Sequence, residues 1–187
     1  MEAHASHTPP ADIAQARGRV AGATLVKVGA IAGLAGGIVM AMWQMVVGAI
    51  ATEPTAVAGI DSSFWTAVTS IPSVIFGIQW FHGSFEFWAV FLGLMGHMMN
   101  SIILGIGGVT LATTLLGKRL TVPAAMAFGM MFGLVLEVLV VNLIVNQVQD
   151  VNTLYTSTPE WSWWVAHAMF GATLGLVAST LLRRERA

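Results

Sequence analysis

The chain has 187 residues, 56% of them apolar and 9% charged, with a formal net charge of −1 and no cysteine. Together with a mean hydropathy of +0.78, this lies outside the soluble globular range and excludes disulfide frameworks and thiolate chemistry. The eight basic residues are few and sit beside the apolar runs, so they make no nucleic-acid-binding surface.

Residues 1–23 open the chain as a polar arm with Pro9 and Pro10, read as extramembrane. His4 and His7 lack companion ligands in this stretch and are read as solvated. The first spanning helix is expected over 24–50. Its apolar core is longer than the roughly 7–15 residues of a signal peptide, which favours a retained helix. Gly29, Gly33 and Gly37 recur every four residues, a small-residue face that lets another helix approach closely. Gln44 lies near its far end.

Residues 51–84 form the first long loop. Within it, 64–81 is apolar but diluted by Thr66, Thr69, Ser70, Pro72 and Ser73. Charge placement decides its role. With four spans, all eight basic residues (Arg17, Arg19, Lys27, Lys118, Arg119, Arg183, Arg184, Arg186) fall on one side, while Glu53, Asp61, Asp150 and Glu160 fall on the other. A fifth span would break that partition, so 64–81 is expected to be an outer interfacial or re-entrant helix. Both termini are expected in the cytoplasm, in a bacterial inner membrane.

The second spanning helix is expected over 85–116, free of Asp, Glu, Lys and Arg between Glu86 and Lys118, with His97 and Asn100 inside it. About 20 apolar residues suffice to cross roughly 30 Å of hydrocarbon. The third is expected over 122–146, with Pro123 tolerated at its first turn. It carries Gly129 and Gly133, then Glu137, Asn142 and Asn146. The fourth is expected over 161–182, where His167, Gly171 and Gly175 follow at four-residue intervals, and residues 183–187 form a basic cytoplasmic tail.

The fold class is therefore an all-α integral membrane protein, with four transmembrane helices in a bundle. A parallel two-helix repeat is also suggested. GGIVMAMWQMVV (36–47) aligns with GMMFGLVLEVLV (129–140), setting Gln44 over Glu137, and GHMMNSIILG (96–105) aligns with AHAMFGATLG (166–175), setting His97 over His167.

Counted inward at about 1.5 Å per residue, Gln44 and His167 lie roughly 9 Å deep, Glu137 about 13 Å and His97 about 16 Å. Isolated polar groups at such depths are costly, so Gln44, His97, Asn100, Glu137, Asn142 and His167 are expected to form a buried cluster, with Glu137 and a histidine sharing a proton or a hydrogen bond. Three functional readings follow. One is an accessory or structural subunit of a larger membrane complex, assembled with other subunits or with itself through the glycine faces. The second is a haem or copper site using His97 and His167, with Met98 as a further soft ligand. The third is a small proton-coupled transporter or channel using Glu137. For an enzyme, the sequence supplies no nucleophile–base set.

Overall fold

The computed structural model describes residues 22–51, 55, 57–117, 120–148 and 150–185. The expectations placed on residues 1–21 (including His4, His7, Arg17 and Arg19), Glu53, Lys118, Arg119 and Arg186 lie outside the described residues.

The protein is an all-α membrane protein built on four long apolar helices: α1 (Gly22–Ile50), α3 (Phe87–Leu116), α4 (Val122–Val148) and α6 (Glu160–Arg184). The shortest of the four has 25 residues, or about 37 Å of helix, enough to cross the hydrocarbon layer. Two short helices lie between them, α2 (Thr66–Phe76) and α5 (Thr153–Ser157). Among the described residues there is no sheet. Ile31, Ile38, Met42, Leu115, Met131 and Leu139 are exposed on the outside of the bundle, the surface that lipid rather than water must cover.

Local chemistry sets the helix ends. Glu86 caps α3, its carboxylate accepting from the Ala89 N–H at 2.6 Å. Thr121 caps α4, with proline in the first turn where no helical hydrogen bond is lost. At the start of α1 and the end of α6, Lys27 and Glu185 approach to 4.0 Å, so these two ends lie together. The opposite ends gather around α2 and α5, where Ser62 Oγ donates to the Ser157 carbonyl at 3.2 Å. We call these the terminal side and the loop side.

Glycine sets how closely the helices pack. A Cβ on Gly29, Gly33 or Gly37 of α1 would collide with α3 at Ile106, Gly105 or Ser101. A Cβ on Gly129 or Gly133 of α4 would collide with α6 at the Gly171 or His167 carbonyl, and Gly171 and Gly175 are equally tight from the other side. These glycine faces are thus occupied by helices of the same chain.

The two pairs also share a register. Gly33 meets Ser101 and Gly105, as Gly129 meets Gly171 and Gly175; Gly105 faces the Gly29 carbonyl, as Gly175 faces the Ala125 carbonyl. The α3–α6 correspondence is the one read from sequence. The α1–α4 correspondence differs by three residues, so Glu137 stands over Ala41 rather than Gln44. The repeat is not closed into a symmetric ring. Helix α1 packs closely on α6, whereas its counterpart, α3 on α4, touches at few points.

Helix α2 has 11 residues, about 16 Å, too short to span. Its hydroxyl face is turned inward: Thr66, Thr69, Ser70 and Ser73 are fully buried, while Ile75 and Phe76 are exposed. Ser73 and Thr153 hydroxyls meet at 2.7 Å and Thr66 Oγ1 donates to the Ser157 carbonyl at 3.1 Å. Pro72 has no N–H to offer the Val68 carbonyl, and Gly93 of α3 stands directly against that carbonyl. The helix is thus pinned by its polar side and shows its apolar side to lipid.

Candidate functional site: a pocket between α3 and α4

The loop-side half of α4 is π-helical from Glu137 to Val145. Such stretches are rare and favour functional positions. Asn142 Nδ2 reaches back five residues to the Glu137 carbonyl at 3.4 Å, along the wider turn. Where this segment diverges from α3, a cavity of about 380 Å³ opens beneath α2, within the size range of small-molecule sites.

Its walls are mainly aliphatic, from Met40, Ala67, Ile71, Val74, Val141 and Leu154. At its rim Ile75, Met99 and Ile103 are 73%, 58% and 61% exposed. All three are apolar and exposed on the outside of the bundle, the kind of surface that lipid covers. Four polar side chains also line it: Gln44, His97, Asn100 and His167.

Behind His167 stands Glu137, which is fully buried. Its Oε1 accepts from the Tyr155 hydroxyl at 2.6 Å, and Oε2 lies 2.7 Å from His167 Nδ1. The Nδ1–H is directed at the Trp163 carbonyl, 3.0 Å away. Oε2 therefore sits beside that bond with no donor in line. Both neighbours of Nδ1 are acceptors, so Nδ1 carries the proton. Tyr155 also accepts from Asn142 Nδ2 at 2.5 Å. The loop-side phenol thereby joins α4 to α6 through the carboxylate. Burial and the adjoining Glu137 carboxylate push the Tyr155 hydroxyl well above its ordinary range.

Of the six polar residues expected to cluster, Glu137 and His167 approach each other directly, and Asn142 joins them through the Glu137 carbonyl and Tyr155. His97 turns to α1, its Nε2–H donating to the Gly37 carbonyl at 2.9 Å, and it reaches the others only across the pocket. Gln44 Oε1 accepts from Thr158 and Ser162 hydroxyls at 2.9 and 3.0 Å. Asn100 is exposed at the mouth. Tyr155 and Trp163 were missed. A lone tyrosine in a polar loop and a tryptophan in an aromatic anchor carry no spacing signal for a site.

The haem or copper expectation for His97, His167 and Met98 is overturned. Among the described residues, no group of three or more His, Cys, Asp or Glu side chains is placed to hold a metal. Each ring instead commits an N–H to a backbone carbonyl, and His167 is further engaged by Glu137.

No protein-family model matches this sequence, and neither a curated protein nor a solved structure gives a significant match.

Proposed function

We propose that this protein is a membrane-embedded binding protein that admits a lipid-soluble small molecule, sideways from the bilayer, into the pocket between α3 and α4. The observation that carries the reading is the pocket itself: about 380 Å³, aliphatic-walled, with its rim among lipid-facing side chains and Gln44, His97 and His167 in its lining. An apolar chamber with a few convergent polar groups is the usual form of a ligand site. Among the described residues its lining holds no serine, threonine or cysteine, which favours binding over covalent catalysis. Assembly with other subunits through the glycine faces draws no support from the packing, because those glycines meet helices of the same chain.

We place the terminal side in the cytoplasm of a cell with an inner membrane, since Lys27, Arg183 and Arg184, the basic residues among those described, lie there. The pocket then belongs to the outer half of the bilayer.

The test is extraction. Protein purified from membranes in mild detergent and analysed by native mass spectrometry should carry a small lipophile. The variant Ala41→Trp, which fills the chamber from α1, should lose it while keeping its helical circular dichroism. Equal retention in both forms would overturn the reading.

A second reading has one observation in its favour. Tyr155 donates to Glu137, whose other oxygen lies 2.7 Å from His167 Nδ1, so the three make a contiguous polar line from the loop side to the pocket, which suits proton exchange coupled to ligand movement. In that case, ligand added to proteoliposomes should change internal pH, and Glu137→Gln should abolish the change.

A further inference from the structure

We infer that the occupant of the pocket carries a hydroxyl head, of the alcohol or phenol type, that gives its proton to His97 Nδ1 and meets the Asn100 amide. This rests on the binding reading above and assigns the ligand's chemistry.

His97 and Asn100 stand three residues apart on α3 and both line the pocket, a spacing that sets their Cβ atoms about 5–6 Å from each other. The His97 ring is half-buried. Its Nε2–H is spent on the Gly37 carbonyl of α1 at 2.9 Å, so in the neutral ring Nδ1 is an acceptor with a free lone pair. Turning the ring over would set a carbon against that carbonyl and lose the bond, which fixes the assignment. The two nitrogens of an imidazole point in nearly opposite directions, so Nδ1 is aimed away from α1. It makes no hydrogen bond, and the buried polar atoms left without a partner among the described residues belong to Gln44, Glu137 and Trp163. His97 Nδ1 therefore keeps accessible surface. Asn100 is exposed at the mouth, and its amide has no hydrogen-bond partner among the described residues. An amide left unpaired in lipid is costly. Its two ends are a donor and an acceptor, so either orientation offers both.

The charge of the head follows from the whole lining. The ionisable residues in it are His97 and His167, with Glu137 and then Tyr155 behind the wall. Glu137 lies 2.7 Å from His167 Nδ1, so a charge on His167 is balanced there and calls for no anion in the pocket. His97 forms no ion pair among the described residues. An unbalanced imidazolium in an apolar chamber is costly, so the neutral ring is the form that fits. A ketone or carboxylate oxygen would meet its lone pair with another. A hydroxyl donates to that lone pair and accepts from the Asn100 amide. His167 Nε2 accepts in the neutral ring and donates in the charged one, and a hydroxyl matches either state. The aliphatic walls then take the apolar tail.

The experiment uses three probes, tetradecanol, its isomer tridecyl methyl ether and tetradecanoate, with the whole protein in lipid nanodiscs. Binding is measured by displacement of a lipophilic fluorophore, with probe concentrations taken per lipid. Tetradecanol should bind about fivefold more tightly than the ether, the yield of one neutral hydrogen bond, and more tightly than the carboxylate at neutral pH. His97→Leu should abolish the preference for the alcohol while leaving ether affinity within about twofold. Asn100→Leu, which keeps the ring, should reduce the preference. A second readout is taken on the wild type labelled with ¹⁵N-histidine. The unprotonated ring nitrogen signal missing from the His97→Leu spectrum should move upfield with tetradecanol and stay with the ether. Equal binding of alcohol and ether, with a stationary nitrogen signal, overturns the hydroxyl head and leaves the pocket reading standing. Tighter binding of the carboxylate also overturns it, and identifies His97 as charged. A fluorophore held equally by the wild type and Ala41→Trp, and displaced by no probe, overturns the pocket reading itself.

Discussion

Gly133 of α4 lies against the main-chain carbonyl of His167 in α6, so closely that a Cβ could not be fitted between them. One turn further along α4, Glu137 reaches the ring of that histidine at 2.7 Å. The polar pair is therefore a product of the glycine packing. Gly133→Ala should force the helices apart at this point and lower stability by about 1–3 kcal/mol, as overpacking does. The control is Gly107→Ala in α3. Apart from the helix's own backbone, nothing lies within 4 Å of the added methyl, so the change should be neutral or stabilising by up to about 1 kcal/mol, from helix propensity. Thermal unfolding in detergent compares the two, and similar losses would refute the packing argument.

How far the sequence reaches can be judged at the same positions. The four spans are legible because long apolar runs without charge have few structural alternatives in lipid, and Glu86 and Pro123 mark two of the starts. The correspondence of His97 with His167 is also legible, since Gly105 and Gly175 follow each at the same distance. The α1–α4 register is not. A three-residue slip in a helix of about 3.6 residues per turn moves its apolar face by only about 60°, so much of that face still overlaps, and Gln44 could be laid over Glu137 when Ala41 is its counterpart. The partner of Glu137 on the loop side was likewise hidden. Tyr155 is 18 residues away across an irregular segment, and no periodicity links the two.

His167→Leu should cost more than the loss of packing alone. It leaves Glu137 fully buried beside an apolar side chain, and removal of one member of a buried pair costs about 3–5 kcal/mol. Glu137→Gln in that background removes the stranded acid and should recover most of the loss. The double-mutant cycle, read by chemical denaturation in detergent, should therefore give a coupling well above about 1 kcal/mol. Additive losses would show that the 2.7 Å approach carries no energetic coupling.

Tyr155 offers a pH measurement free of overlap, because it is the chain's one tyrosine. Burial raises its hydroxyl first, and the hydrogen bond and charge of Glu137 add to the effect. In the unfolded chain the phenol ionises near pH ~10. A raised value in the folded state means that its stabilising contribution is fully present below about pH 10 and is lost as pH climbs through the higher folded value. Phenolate absorbance of the native protein should therefore lag behind that of the denatured protein on alkaline titration. Glu137→Gln should narrow the lag without closing it, since burial remains. Coincident titration curves for the native and denatured forms would contradict the geometry at Oε1.

Helix α2 covers the pocket and is fastened by hydroxyls, so its attachment should control access from the lipid. Ser73 and Thr153 meet at 2.7 Å in a buried position, and Thr153 Oγ1 also lies 3.4 Å from the Ser70 carbonyl. Thr153→Val keeps the shape of the side chain and removes its hydroxyl, leaving Ser73 with a weaker set of partners. The expected loss is about 1–2 kcal/mol. It should fall on the docking of α2 more than on the four-helix frame, whose packing rests on glycine contacts elsewhere. Amide exchange should accordingly accelerate over 66–76 and remain unchanged in α6. Exchange of a bound lipophile with the bilayer should quicken by a similar factor, because the same opening exposes the chamber. Faster amide exchange in α2 with unaltered ligand exchange would mean that the ligand passes between Met99 and Val140 without displacing α2, and that α2 is a fixed wall of the pocket.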